Sequence, residues 1–250
     1  MSESYRALCS DFYVNLKLSV KMELPKGRDT VLELFERVRK QYPGMGTFRR
    51  YREELALESP QSDIPHRWVA VRSSNIRSGS VNAPGFEAAY GLHRLVLETA
   101  PYYLNISPLD VDYVELLYGF DLMASGNHDA IVFDALLAGS PLGRLIDPES
   151  STPIDCQPLV GVSYGARSDV EVYFEVKTRA GSQAPPRDRE GQQDPISVYL
   201  TLRKFGAVQD LKDLPATLAK LQARGEELVE SAVVPTLLVP LRDAIASAGP

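Results

Sequence analysis

The residues best suited to chemistry in this sequence surround the stretch NHD at 127–129. Asp121 ends the apolar stretch before it, and His128 and Asp129 follow a Ser-Gly-Asn turn. A histidine flanked by carboxylates is a combination used for general acid–base catalysis and for binding divalent metals. However, Asn127 is a favourable helix cap, and Asp129 would then lie in the first turn, where the helix dipole favours negative charge. A helix start therefore explains the cluster, and Asp121, His128 and Asp129 are kept as an alternative polar site.

Other motifs that would identify an enzyme do not emerge. The sequence contains no GxxxxGK[ST] or GxGxxG phosphate loop. GVSYG at 161–165 places Ser163 between glycines, but in the context of a strand rather than at the strand-to-helix turn of a nucleophile elbow. None of the three histidines is followed by a His, Cys, Asp or Glu three or four residues later. We therefore expect no catalytic residue, no metal and no cofactor, and the sequence favours a non-enzymatic protein while leaving the question open.

A second group of candidate residues is basic. FRRYRE at 48–53 and RSSNIRSGS at 72–80 interleave arginine with aromatic and polar residues, and on adjacent strands they would form a stacking surface for single-stranded RNA or DNA. The net charge of −6 disfavours a dedicated nucleic-acid binder. We keep the group as a possible interaction surface, which consists of Arg49, Arg50, Arg52, Arg72 and Arg77.

Charge is unevenly distributed along the chain. Residues 28–77 carry ten Lys/Arg and seven Asp/Glu, whereas residues 78–175 carry three and fourteen. Separation of this kind can orient a protein partner or make two copies of a chain complementary to each other. It favours a protein partner or a homo-oligomer.

The elements that must position these residues follow from hydrophobic periodicity. Alternating apolar residues predict strands at 12–22, 47–59, 66–79, 111–124, 156–166, 169–180 and 195–206. Apolar residues at helical spacing predict a helix capped by Asp29 and helices over 86–103, 129–137 and 210–235. The Pro/Gly/Gln-rich stretch 181–195 is predicted to be a mobile loop.

Two of these strands look like copies of one another. YVNLKLSVKM (13–22) and YVELLYGFDL (113–122) match at an offset of 100 residues, and each precedes a helix. The pattern predicts an α+β protein of two ferredoxin-like halves, residues 1–109 and 110–250, closely packed about a pseudo-twofold axis. The orders are β-α-β-β-α and β-α-β-β-β-α, in a mostly antiparallel sheet with helices on one face. Because the second copy is more apolar, we expect 13–22 to keep the wetter polar face.

Two stretches carry a family resemblance. VDYVELLYGFDLM (111–123) and LKDLPATLAKLQARGEELVE (211–230) resemble a sporadically distributed, uncharacterised bacterial protein family of about this length, which implies no activity. Paired ferredoxin-like halves are also similar in architecture to dimeric α/β-barrel proteins of the chlorite dismutase type, which bind haem. That similarity implies a small-molecule or haem-like pocket between the halves as an alternative function.

The remaining features concern the compartment. Cys9 and Cys156 are predicted to be buried free thiols, and the first residues lack the apolar region of a signal peptide. No run of about 18 apolar residues occurs. We expect a cytoplasmic protein without membrane association. The leading interpretation is a non-enzymatic protein-binding or assembly module, with pocket-based ligand binding and nucleic-acid binding through 47–79 as alternatives.

Overall fold

The fold is given by a computed structural model that describes residues 5, 7–25, 27–147, 150–164, 169–178 and 195–248. The loop predicted at 181–195 lies outside these residues, apart from Pro195.

The described residues form one antiparallel sheet of nine strands. The strands are β1 (Asp11–Val20), β2 (Thr47–Arg50), β3 (Leu55–Glu58), β4 (His66–Val71), β5 (Asn75–Val81), β6 (Val111–Leu122), β7 (Leu159–Tyr164), β8 (Val170–Lys177) and β9 (Ile196–Phe205). Their order in space is β2-β3-β4-β5-β1-β6-β9-β8-β7, and all neighbouring pairs are antiparallel. The predicted α+β class with a mostly antiparallel sheet is therefore confirmed.

Helices separate groups of strands along the chain. They are α1 (Arg28–Gln41), α2 (Phe86–Tyr103), α3 (His128–Leu136), α4 (Asp213–Leu228) and α5 (Val239–Ala248). Short 3-10 turns occur at Pro108–Asp110 and Pro141–Leu145. A π-helical segment, Val229–Leu238, joins α4 to α5, so that the predicted helix at 210–235 is part of a longer helical stretch.

β1 and β6 form the centre of the sheet and are paired along nearly their whole length. Leu16 lies opposite Leu116, and the even-numbered side chains of both strands are buried, apart from that of Asp112 at the start of β6. The odd-numbered side chains point to the other face, because successive side chains of a strand alternate. This pattern gives the sheet one apolar face and one polar face.

The helices cover the apolar face, which we call the helix face. Phe86 of α2 contacts Phe12 of β1 and Tyr118 of β6, with ring centroids 5.5 Å apart in both pairs. Gly225 of α4 lies directly over the Tyr118 ring, and Phe35 of α1 contacts Phe48 of β2. Burial of these apolar side chains is the main stabilising contribution to the fold.

Several local expectations were wrong. The predicted strands 47–59 and 66–79 are each a hairpin of two strands. In the first turn the Tyr51 N–H donates a hydrogen bond to the Glu54 carbonyl, and in the second the Arg72 N–H donates to the Asn75 carbonyl. Asp29 does not cap α1, since the N-cap is Gly27. The expected wetter face of 13–22 is found only at its end, because positions 13, 15, 17 and 19 match 113, 115, 117 and 119 in burial, whereas Lys21 is exposed and Asp121 is half-buried. The two strands share the centre of the sheet and the same surroundings.

Candidate binding surface on the open face

The face of the sheet opposite the helices is polar and aromatic, and we call it the open face. The strand register places the odd-numbered side chains of β1, β5, β6, β8 and β9 on it. Six of its aromatic residues come from five different strands: Tyr13, Trp68, Tyr113, Tyr173, Tyr199 and Phe205. An aromatic sheet face of this kind can bind a ligand or partner by stacking and apolar contact.

Three of these rings lie across glycines on neighbouring strands. Tyr13 covers Gly119, Trp68 covers Gly79 and Tyr173 covers Gly161, each in a directly opposed pair. A Cβ atom at Gly119 or Gly79 would overlap the ring. Glycine is therefore required for the rings to lie flat against the backbone, an arrangement known to stabilise sheets.

Cations on the open face lie over its rings. The guanidinium carbon of Arg203 is 4.7 Å from the ring centroid of Tyr113. Lys17 Nζ is 5.0 Å from the same centroid and donates a hydrogen bond of 2.6 Å to the Tyr113 hydroxyl. Arg77 lies over Trp68 at 5.6 Å. These contacts fix the long side chains on the face.

Carboxylates on or beside the same face neutralise most of these cations. Arg203 forms two hydrogen bonds with Glu115, of 2.8 and 2.5 Å. Arg49 pairs with Glu58 at 3.2 Å, and Lys177 pairs with Glu175 at the same distance. Among the described strand residues, the face has five cations and six carboxylates, namely Lys17, Arg49, Arg77, Lys177 and Arg203 with Asp11, Glu58, Glu115, Asp121, Glu171 and Glu175. The face is therefore nearly neutral.

A pocket of about 260 Å³ opens on this face between Trp68 and Leu117. Its lining includes Asn15, Asn75 and Arg77. The Oδ1 atoms of the two asparagines and Nε of Arg77 are buried without a hydrogen-bond partner among the described residues. A buried polar group without a hydrogen-bond partner costs free energy, and all three of these atoms belong to residues that line the pocket.

Asp121 lies at the end of β6 on the open face, away from the other members of the predicted polar site. Its Oδ1 accepts hydrogen bonds from Ser197 Oγ (2.7 Å) and Tyr13 Oη (3.2 Å). Desolvation raises the pKa of Asp121, partly offset by these two hydrogen bonds, which lower it. The carboxylate holds the Tyr13 ring in position over Gly119.

His128 and Asp129 lie at the start of α3 instead. Asp129 is buried and accepts hydrogen bonds from the Cys156 backbone N–H (2.9 Å) and from Thr178 Oγ1 (2.6 Å). Asn127 Oδ1 accepts from the Ala130 N–H at 3.1 Å, so its predicted cap is confirmed. The structure gives this cluster a role in joining α3 to the neighbouring segments. In the part of the chain that is described, no three His, Cys, Asp or Glu side chains are arranged to hold a metal ion.

The five predicted arginines fall on two surfaces. Arg49 and Arg77 lie on the open face. Arg50, Arg52 and Arg72 line a second pocket at the turn between β2 and β3, and Arg72 also lines the pocket on the open face. Glu54 joins the two groups, because it accepts hydrogen bonds from both Arg72 (2.8 Å) and Arg77.

Comparison with known protein families and with curated proteins finds no match for this chain. Function must therefore be inferred from the site itself.

Sequence reasoning missed a buried serine–histidine pair. Ser78 Oγ lies 2.7 Å from Nδ1 of His93, and Nε2 of that histidine lies 3.2 Å from the Val14 carbonyl. The pair has the spacing of a nucleophile and its base. However, both side chains are fully buried on the helix face, where no substrate has access, and burial lowers the pKa of His93 to about 4. The pair is structural, and no local motif connects its two residues.

Other reactive groups are also explained by their positions. Ser163 is inside β7, opposite Glu171, as its strand context predicts. Cys9 and Cys156 are free and buried, as predicted, and desolvation raises the pKa of Cys9 to about 12, which makes its thiol a poor nucleophile. Among the described residues, no helix has the length and apolar character needed to cross a bilayer.

Proposed function

We propose that this chain is a non-enzymatic protein-binding module whose partner lies against the open face. The observation that carries the proposal is the pocket beside Trp68, where polar atoms of Asn15, Asn75 and Arg77 are buried without partners. A protein side chain inserted there would supply the missing hydrogen bonds. Flat aromatic rings next to the pocket would provide apolar contact area, as aromatic residues do in many protein interfaces.

Charge favours a protein over a nucleic acid as the partner. A nucleic-acid site needs an excess of unpaired cations to bind phosphates. On the open face Arg203, Arg49 and Lys177 are already paired with carboxylates. A polypeptide presents donors and acceptors of both kinds, which matches a face of nearly balanced charge.

Size favours a protein side chain over a free small molecule at this pocket. Sites for small ligands typically enclose about 300–1,000 Å³. The pocket on the open face measures about 260 Å³. It fits a single polar side chain that belongs to a larger surface.

The uncharged edge of the sheet is the proposed site of self-association. In β7 the side chains of Leu159, Val160 and Val162 are 58%, 57% and 37% exposed. The opposite edge strand, β2, carries Arg49 and Arg50. Charged residues at an edge discourage pairing with another chain, and an apolar edge permits it.

A second copy of the chain fits this edge in one register. The Val176 N–H bonds to the Pro158 carbonyl, and the alternation of an antiparallel ladder then turns the backbone groups of Leu159, Gly161 and Ser163 outward. An antiparallel copy centred on Gly161 would pair Val160 with the second copy's Val162. One short strand buries far less than the roughly 1,200 Å² of a stable interface, so the dimer would be weak and reversible.

We also propose a more specific fold than the α+β class. We take the chain to be two related ferredoxin-like halves, as the offset of 100 residues predicts. The register supports this, because the pair Tyr13–Gly119 has its counterpart in Ser19–Tyr113, with Leu16 opposite Leu116 at the centre. Duplicated halves would explain the extended sheet, and the resemblance to an uncharacterised bacterial family adds no activity.

Site-specific photo-cross-linking tests the binding proposal. A benzoylphenylalanine at Tyr199, on the open face, should give a covalent adduct with a protein in cells that naturally produce this chain. The same probe at Tyr102, which is exposed on α2, serves as the matched control. The proposal is wrong if Tyr199 gives no adduct, if only Tyr102 does, or if the adduct is a nucleic acid.

A further inference from the structure

We infer that a second pocket, beside the first turn of α1, binds a small organic anion: a phosphate or carboxylate attached to an apolar or aromatic body. This inference does not depend on the proposed function, because the pocket has a different lining from the one on the open face and shares only Arg72 with it. It is lined by α1, by the turn between β2 and β3 and by the turn between β4 and β5.

The pocket has the size and the walls of a small-molecule site. Its volume is about 440 Å³, within the range of about 300–1,000 Å³ typical of such sites. One part of the lining is apolar and consists of Val31, Leu32, Phe48, Leu55 and Val71. Phe48 and Tyr51 each leave close to half of their surface exposed there, 50% and 44%. An inorganic ion would leave this apolar wall unused, whereas a ligand with an organic body would cover it.

The polar part of the lining is basic. Arg28, Arg50 and Arg52 form no ion pair with any residue that the structure describes. Arg72, the fourth arginine, shares Glu54 with Arg77. Arginine is suited to oxyanions because its planar guanidinium offers parallel N–H donors to phosphate and carboxylate oxygens.

The start of α1 adds to this positive potential. Gly27 is the N-cap and provides no side-chain hydrogen bond to the first turn. The first N–H groups of a helix lack partners within the helix, and the helix dipole makes this end positive. Arg28 and Val31, from that first turn, line the pocket. The start of the helix and the arginines therefore both favour a negatively charged ligand.

The carboxylates in the lining do not cancel this charge. Four arginines and two glutamates, Glu53 and Glu54, line the pocket. Glu54 is already paired with the guanidinium groups of Arg72 and Arg77. The balance stays positive, in contrast to the nearly neutral open face.

Isothermal titration of the full chain with chosen probes tests the inference. Phenyl phosphate and benzoate represent the two anions, benzyl alcohol is the neutral body, and inorganic phosphate is the anion alone. We expect saturable binding of at least one aromatic anion, and binding at least tenfold weaker for benzyl alcohol and inorganic phosphate. Which of phenyl phosphate and benzoate binds more tightly identifies the anion.

Neighbouring arginines provide matched variants. Arg50→Ala together with Arg52→Ala should weaken the aromatic anion about tenfold or more, because charge-assisted hydrogen bonds are lost. Arg49→Ala, on the opposite face of the same strand and paired with Glu58, should change the affinity less than twofold. All three residues are exposed, so the fold should survive, which circular dichroism can check.

Three results would overturn the inference. They are no saturable binding of either aromatic anion, equal affinity for benzyl alcohol, and unchanged affinity in the double variant. Tight binding of a single-stranded oligonucleotide without binding of the small anions would instead assign the arginines to a nucleic acid.

Discussion

The Tyr13 ring lies flat over Gly119, its directly opposed neighbour on the adjacent central strand. The Tyr13 hydroxyl then reaches Asp121, two residues further along β6, at 3.2 Å. A missing side chain on one strand thus makes room for a large one on the next. The centre of the open face depends on this pair, since Tyr13 also contacts Tyr199 with ring centroids 6.4 Å apart.

Gly119→Ala should therefore destabilise the protein. The added Cβ would overlap the Tyr13 ring, and overpacking of this kind costs about 1–3 kcal/mol. Urea unfolding followed by tryptophan fluorescence measures the change. Gly46→Ala is the control, because nothing lies within 4 Å of a Cβ at Gly46. Equal midpoints for Gly119→Ala and the wild type would show that the ring moves away freely.

The buried His93 should make stability depend on pH. Burial lowers its pKa in the folded protein to about 4, against about 6.5 in the unfolded chain. The unfolded state therefore binds more protons between these values. The contribution of His93 to the free energy of unfolding is fully present above pH 6.5. It is lost as the pH falls to 4, by about 3 kcal/mol in total. His93→Gln should flatten this part of the pH profile, measured by urea unfolding at each pH, and parallel profiles would contradict the assignment.

The apolar edge should control self-association. Sedimentation equilibrium of the wild type should show a reversible monomer–dimer mixture that shifts with concentration. Val160→Lys places a charge in the middle of β7 and should weaken the dimer at least tenfold. Thr47→Lys on the opposite edge strand should leave it unchanged. A wild type that stays monomeric at all concentrations would refute the edge pairing.

The fold was predictable where periodicity is strong. Alternation in 12–22 and 111–124 located β1 and β6, because each has one face buried. The hairpin turns were not found, because Tyr51–Glu54 and Arg72–Asn75 contain neither Gly nor Pro and carry the strand pattern across the turn.

The open face was not predictable from the sequence. Tyr13 and Gly119 are far apart along the chain, and only the register of β1 against β6 brings them together. The five arginines were a local pattern, and the structure divides them because neighbours such as Arg49 and Arg50 point to opposite faces of one strand. Alternation could have indicated that division, whereas the Ser78–His93 pair required the packing of α2 on the sheet.

Asn15 offers a test that separates binding from stability. Its Oδ1 is buried without a partner in the described structure, and an unsatisfied group of this kind costs about 1–3 kcal/mol. Asn15→Leu should therefore stabilise the free protein in urea unfolding. The same change should reduce the cross-linked adduct formed at Tyr199, because the partner loses its acceptor. Stability gained at the expense of function is typical of binding sites.

Asn127→Ala is the matched comparison for Asn15. Its side chain caps α3, and loss of a cap costs about 1 kcal/mol, so that stability should fall. Cross-linking at Tyr199 should remain as in the wild type, because α3 begins away from the open face. If Asn15→Leu instead destabilised the protein and left the adduct unchanged, Asn15 would be a structural residue. The pocket beside Trp68 would then have no part in binding.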